Sequence, residues 1–200
     1  MTGSAFLRRL ATLAALAACL TLAACDGHKP AWYGTDISGV MPDLQFTMQR
    51  ANDGQTVSAA DYRGKITLLY FGYTNCPDIC PTTLANLAET LRRLGPKAAR
   101  VRVLFVSVDP DRDTRAVMKA YVNAFSPQMD GLRGTQNAIA ALARRYRVAY
   151  DVQKATATHP YTVMHSSAVF FFDADGKARV VTLSTDNMGA VATDILRLMP

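Results

Sequence analysis

The strongest constraint on the fold is an apolar run that leads straight into a cysteine pair. Ile66-Thr67-Leu68-Leu69-Tyr70-Phe71-Gly72 has the length of a strand and no polar–apolar alternation, the pattern of a strand covered on both faces. Four positions on comes Cys76-Pro77-Asp78-Ile79-Cys80-Pro81, and Leu84, Leu87, Leu91 and Leu94 then form a helical stripe ending at Gly95-Pro96. The remaining chain alternates in the same way. Val101 to Val108 reads as a second buried strand, and Asp113-Thr114 is placed to cap a helix reaching about Phe125. Thr135 to Tyr146 reads as a helix, Val148 to Val152 and Ser167 to Phe172 as strands, and Met188 to Leu198 as a last helix. Asp173-Ala174-Asp175-Gly176 turns the chain into an antiparallel partner over Ala178 to Leu183. Leu44 to Met48 alternates and meets the turn residues Asn52-Asp53-Gly54-Gln55, which predicts a small hairpin.

Such a pattern predicts an α/β domain with a central mixed sheet flanked by helices. A cysteine pair between a buried strand and a helix start points to the thioredoxin-like kind. With half of its 200 residues hydrophobic and 19% charged, the chain suits one globular domain with a full-sized core.

The N-terminus stands apart. Arg8 and Arg9 precede an apolar stretch from Leu10 to Ala24, and about 15 residues suit a secretory signal peptide better than a membrane span. Leu22-Ala23-Ala24-Cys25 resembles the lipobox of bacterial lipoproteins, which implies that Cys25 is acylated and becomes the first mature residue. Each buried methylene of its acyl chains would add about 0.8 kcal/mol of anchoring. Asp26 resembles an inner-membrane retention signal. The expected layout is therefore a lipoprotein signal peptide over 1–24, a membrane tether over 25–39 and the folded domain over 40–200. The place is the extracytoplasmic, periplasmic face of a bacterial cytoplasmic membrane. Loss of residues 1–24 removes two basic residues and no acidic one, lowering the formal charge from +6 to +4. Scattered basic residues at that charge exclude a nucleic-acid partner.

Of four cysteines, Cys19 leaves with the signal and Cys25 is taken by lipid. Cys76 and Cys80 remain as one close pair, which is no disulfide scaffold. If the helix starts near Cys76, both sulfurs project from its N-terminus, where unpaired N–H groups and the macrodipole lower thiol pKa. That arrangement serves metal binding or disulfide exchange. Three intervening residues, where thioredoxin-type reductases have two, favour holding a metal between the thiolates. Two thiolates and an imidazole suit copper better than a structural zinc site, which wants four ligands. Mature histidines are His28, His159 and His165. His28 lies in the tether and His159 in a loop expected to be solvated. His165, just before the apolar strand, is either a ligand or a half-buried histidine bonded to backbone.

Three motifs in order carry a closer likeness. Leu69-Tyr70-Phe71-Gly72-Tyr73-Thr74-Asn75-Cys76-Pro77-Asp78-Ile79-Cys80-Pro81, then Val108-Asp109-Pro110-Asp111-Arg112-Asp113-Thr114, then Tyr161-Thr162-Val163-Met164-His165-Ser166 closely resemble the Sco family of copper chaperones. Asp61-Tyr62-Arg63-Gly64-Lys65 also matches, and the likeness spans about 40 to 198. It implies copper, as Cu(I) or Cu(II), held by Cys76, Cys80 and His165. It implies as partners cytochrome c oxidase subunit II, at its CuA site, and other copper chaperones or a thiol reductant. Many members carry Asp where this chain has Met164, a position read here as packing, and Pro where it has Arg115. The competing function is a thiol–disulfide oxidoreductase acting through Cys76 and Cys80, with a peroxidase or a redox sensor behind it. Phe170, Phe171 and Phe172 read as strand core, and Asp109 as a solvated strand end in preference to a residue shaping the site rim.

Overall fold

The computed structural model describes residues 31–156, 158 and 161–199. The expected signal peptide over 1–24, together with Cys25, His28 and His159, lies outside the described residues. The strands in chain order are β1 (Thr35–Asp36), β2 (Thr47–Arg50), β3 (Thr56–Ser58), β4 (Ile66–Gly72) and β5 (Val101–Ser107). They continue with β6 (Met129–Arg133), β7 (Tyr150–Gln153), β8 (Thr162–His165), β9 (Val169–Phe172) and β10 (Ala178–Thr182). The helices are α1 (Ile79–Leu94), α2 (Arg115–Asn123), α3 (Gln136–Arg145) and α4 (Met188–Leu198).

The apolar run becomes the middle of the sheet. Every residue of β4 is buried, and its neighbours are β5, in parallel from Ile66 opposite Val101 to Gly72 opposite Ser107, and β9, antiparallel. One eight-stranded mixed sheet results, in the order β1-β10-β9-β4-β5-β6-β2-β3. β4, β5 and β6 are parallel, and all other pairings are antiparallel. Helices flank it, with α1 packing on α4 and α2 on β6, as a thioredoxin-like α/β fold requires. The largest fully buried side chains include Tyr70, Phe71, Phe105, Phe171 and Phe172. Burial of each such side chain contributes roughly 1.5–3 kcal/mol.

Local signals set the helix starts. Thr114, Thr135 and Asn187 each accept a backbone N–H of the first turn, from Val117, Ala138 and Ala190 at 3.3, 3.2 and 3.1 Å. Caps of this kind stabilise by about 1 kcal/mol. Gly95 closes α1 with φ at 56°, a conformation glycine adopts without steric cost.

Three expectations are corrected. The hairpin forms around the predicted turn, in β2 and β3, but its first strand begins at Thr47 rather than Leu44. Part of the expected tether is folded: β1 pairs with β10, Ile37 is buried, and the amides of Tyr33 and Gly34 both donate to the buried Asp194 carboxylate at 3.0 Å. Main-chain pairing on a sheet edge leaves no periodic trace in so short a segment. Finally, the strand expected near Val148 to Val152 does not join the main sheet. β7 pairs with β8 alone, Tyr150 opposite His165, as a two-stranded ribbon.

Candidate metal centre

The cysteine loop leaves the carboxyl end of β4, where sheets of this class place ligand sites. α1 begins at Ile79, three residues later than the spacing argument assumed, so Cys76 stands in the loop and Cys80 in the first helical turn. Asp78, the N-cap, makes no side-chain cap. The Cys76 sulfur accepts the Cys80 amide instead, at 3.4 Å, and so takes one of the helix's unpaired donors. Gly72 makes room for the second sulfur. A Cβ there would meet Cys80 Sγ at 2.7 Å and Phe105 Cε2 at 2.6 Å, so a side chain at this position has no space.

His165 comes from β8, 85 positions downstream. Its Nε2 lies 3.0 Å from Cys80 Sγ, and its Nδ1 faces the Ser166 carbonyl oxygen at 3.0 Å. The imidazole stands edge-on to Tyr73 and Tyr70, with ring centroids 5.7 and 6.0 Å away. A backbone contact at Nδ1 fixes the ring's orientation and leaves Nε2 directed at the sulfurs. His165 is thus half-buried and in contact with backbone, as one reading had it, and its other nitrogen faces the cysteines.

Cys76 and Cys80 are buried free thiols. Their sulfurs and a ring nitrogen of His165 all lie within 4.8 Å of one another. Ligands about 2.0–2.3 Å from a shared ion sit roughly 3.5–4.4 Å apart, so small side-chain shifts bring these three around one metal. Two soft sulfurs and an imidazole fit a thiophilic ion such as copper. The expected depression of thiol pKa does not hold at Cys80. Burial pushes that thiol up to about 12, outweighing the bond from the Tyr73 backbone that lowers it. Burial also lowers the His165 pKa, keeping the imidazole neutral and able to donate a lone pair.

Around the donors lies a polar layer of which sequence reasoning named only Asp109, as its less favoured alternative. Asp109, read as a solvated strand end, is 1% exposed. Its Oδ1 accepts the Tyr161 hydroxyl at 2.7 Å, and its Oδ2 accepts Arg112 Nε. The Arg112 guanidinium lies 3.7 Å over the Tyr161 ring and 5.8 Å from the Tyr73 centroid. Burial, then Asp109, pushes the Tyr161 hydroxyl up to about 12, so it remains a donor at neutral pH. Asp113, read as part of a helix cap, is fully buried and accepts from Thr74 N at 3.1 Å, Thr74 Oγ1 at 2.6 Å and Ser107 Oγ at 2.6 Å. Thr114 alone is the cap. The available signal was an acidic pair just past a buried strand, inside a motif that had already marked the family likeness. Met164, read as packing, is 65% exposed, because strand alternation turns it away from His165's side. Among the described residues no helix is long and apolar enough to cross a membrane.

Residues 42–200 of the chain match the SCO1/SenC family. A mitochondrial SCO2 homolog of Bos taurus is 43% identical over 125 residues, 62% of this chain and 47% of that protein. The chain thus spans about half the length of the mammalian relatives it matches. ScoI of Bradyrhizobium japonicum, solved with copper bound, is 35% identical with a TM-score of 0.71, over 78% of this chain and 99% of that one. Apo Sco1 of Thermus thermophilus is 32% identical with a TM-score of 0.74, over 86% of this chain and all of that one.

Proposed function

The chain belongs to the SCO1/SenC family, and from that premise we propose that it binds copper through Cys76, Cys80 and His165 and serves assembly of the CuA site of cytochrome c oxidase. The observation that carries this reading is the convergence of three soft donors within 4.8 Å of one another, one brought from a separate ribbon. A copper-bound relative of 35% identity supports it. The copper is cargo: two thiolates and an imidazole hold it tightly enough to select it, and a three-donor site leaves coordination open to an incoming ligand of the acceptor. The acceptor in this reading is subunit II, with other copper chaperones or a thiol reductant upstream. Cys25 carries the lipid that holds the domain at the extracytoplasmic face of the membrane.

A second reading rests on the two free thiols themselves. Cys76, in the loop, would attack a partner disulfide as thiolate; Cys80 would then displace the partner's sulfur. The partner leaves as a dithiol and this chain as the Cys76–Cys80 disulfide. That reaction would keep the CuA cysteines reduced and needs no imidazole ligand.

Competition titration of the reduced protein with Cu(I), beside a disulfide-reduction assay, separates the two. Wild type is expected to bind one Cu(I) per chain and Cys76→Ser to lose that binding. His165→Ala should weaken it by at least about tenfold while reducing disulfides as before. Unchanged Cu(I) affinity in His165→Ala removes the three-donor reading and leaves a dithiol protein.

A further inference from the structure

The stretch from Asp109 to Asp113 supplies no donor to the site, yet it touches both parts of it. Its C-terminal end grips the cysteine loop: the Asp113 carboxylate takes the amide and hydroxyl of Thr74, two residues before Cys76, and the hydroxyl of Ser107 at the end of β5. Its N-terminal end grips the histidine strand: Asp109 takes the hydroxyl of Tyr161, the residue before β8, and Arg112 lies over the Tyr161 ring. The stretch is itself tied to β6, since Arg133 Nη2 donates to the Pro110 carbonyl at 3.0 Å.

The connection matters because the ribbon needs one. β8 pairs only with β7, so the sheet's hydrogen bonds do not fix where His165 stands. An exposed ion pair from Lys154 to Asp111, 3.1 Å long, adds little. The Asp109 contacts are of another order. A carboxylate 1% exposed, with both oxygens occupied, cannot lose a partner without leaving an oxygen unsatisfied in the interior. Arg112 meanwhile faces one aromatic ring from each half, Tyr161 before β8 and Tyr73 in the cysteine loop.

We propose that Asp109, Arg112 and Tyr161 are positioning residues for the metal site, a clamp that sets the distance between the His165 imidazole and the two thiols. Asp113 holds the other jaw. The clamp rests on the three-donor reading for its purpose, and on the metal-free geometry for its existence. Loosening it should release the imidazole while both thiols stay in place.

Two measurements on the whole reduced protein test this. In the metal-free state, the nuclear Overhauser contact between the Tyr73 and His165 rings should vanish in Tyr161→Phe, which keeps the aromatic ring, and in Asp109→Asn. Arg112→Lys, which keeps the charge, should retain part of it, and thiol titration should still count two free cysteines. In Cu(I) competition, Tyr161→Phe should weaken binding about tenfold in the wild-type background and leave His165→Ala unchanged. A ring contact that survives both Tyr161→Phe and Asp109→Asn overturns the clamp, as does an equal loss of affinity in both backgrounds. If His165→Ala alone leaves Cu(I) affinity intact, the three-donor reading fails, and the ring contact still decides the clamp.

Discussion

The thiol half and the imidazole half of the site are built on different foundations. Cys76 and Cys80 follow the central strand, and the Cys80 sulfur is packed against Gly72 and Phe105 with no spare room. His165 stands on a ribbon whose residues alternate between half-buried and exposed, outside the main sheet. One side is therefore bound to global stability, and the other is held from outside the sheet, by the contacts of Asp109 and Arg112 to Tyr161. Under the proposed clamp, the sulfurs are fixed by the core and the third donor by side-chain contacts alone.

The sharpest way to break that contrast is Gly72→Ala. The added methyl would meet Cys80 Sγ and Phe105 below 3.0 Å, and such overpacking should cost about 2 kcal/mol of unfolding free energy in denaturant titration. A loss near zero would mean that the thiol half is not rigid.

Alkaline pH offers a graded test. Cys80 is pushed up to about 12 from 9.0 by burial, so the folded protein keeps a proton that the unfolded chain releases. That contribution is whole below about pH 9 and is lost as pH rises toward about 12. The unfolding midpoint of wild type should fall more steeply between about pH 8 and about pH 11 than that of Cys80→Ala. Parallel slopes would contradict it.

The smallest effect belongs to the ribbon. His165→Ala in the metal-free protein should change unfolding free energy by about 1 kcal/mol or less. Amides of β7 and β8 should exchange with solvent before those of β4 and β5. A large global loss would erase the distinction between the halves.

The same contrast explains what could be read from the sequence. The thiol half is local: strand, cysteines and helix follow one another within 29 residues, from Ile66 to Leu94, and their periodicity marks them. The imidazole half is not. That Val148 to Val152 would leave the sheet depended on which strand it found as a neighbour. That Asp109 would be buried depended on Tyr161, 52 positions away. A helix dipole lowers thiol pKa at an exposed helix start, whereas at Cys80 burial outweighs it. Ordered motifs gave His165 where physical chemistry alone left it undecided.

The docking of the first strand has a consequence for how this chain keeps to itself. Thr35–Asp36 covers an outer flank of β10, and the preceding amides satisfy Asp194. A chain shortened to begin at residue 40 would bare unpaired main-chain groups beside Val180 and Val181 and take two amide donors from the interior Asp194 carboxylate, leaving it Arg197 at 3.6 Å. Self-association along that uncovered flank would follow, a fault lying in solubility and far from any metal chemistry.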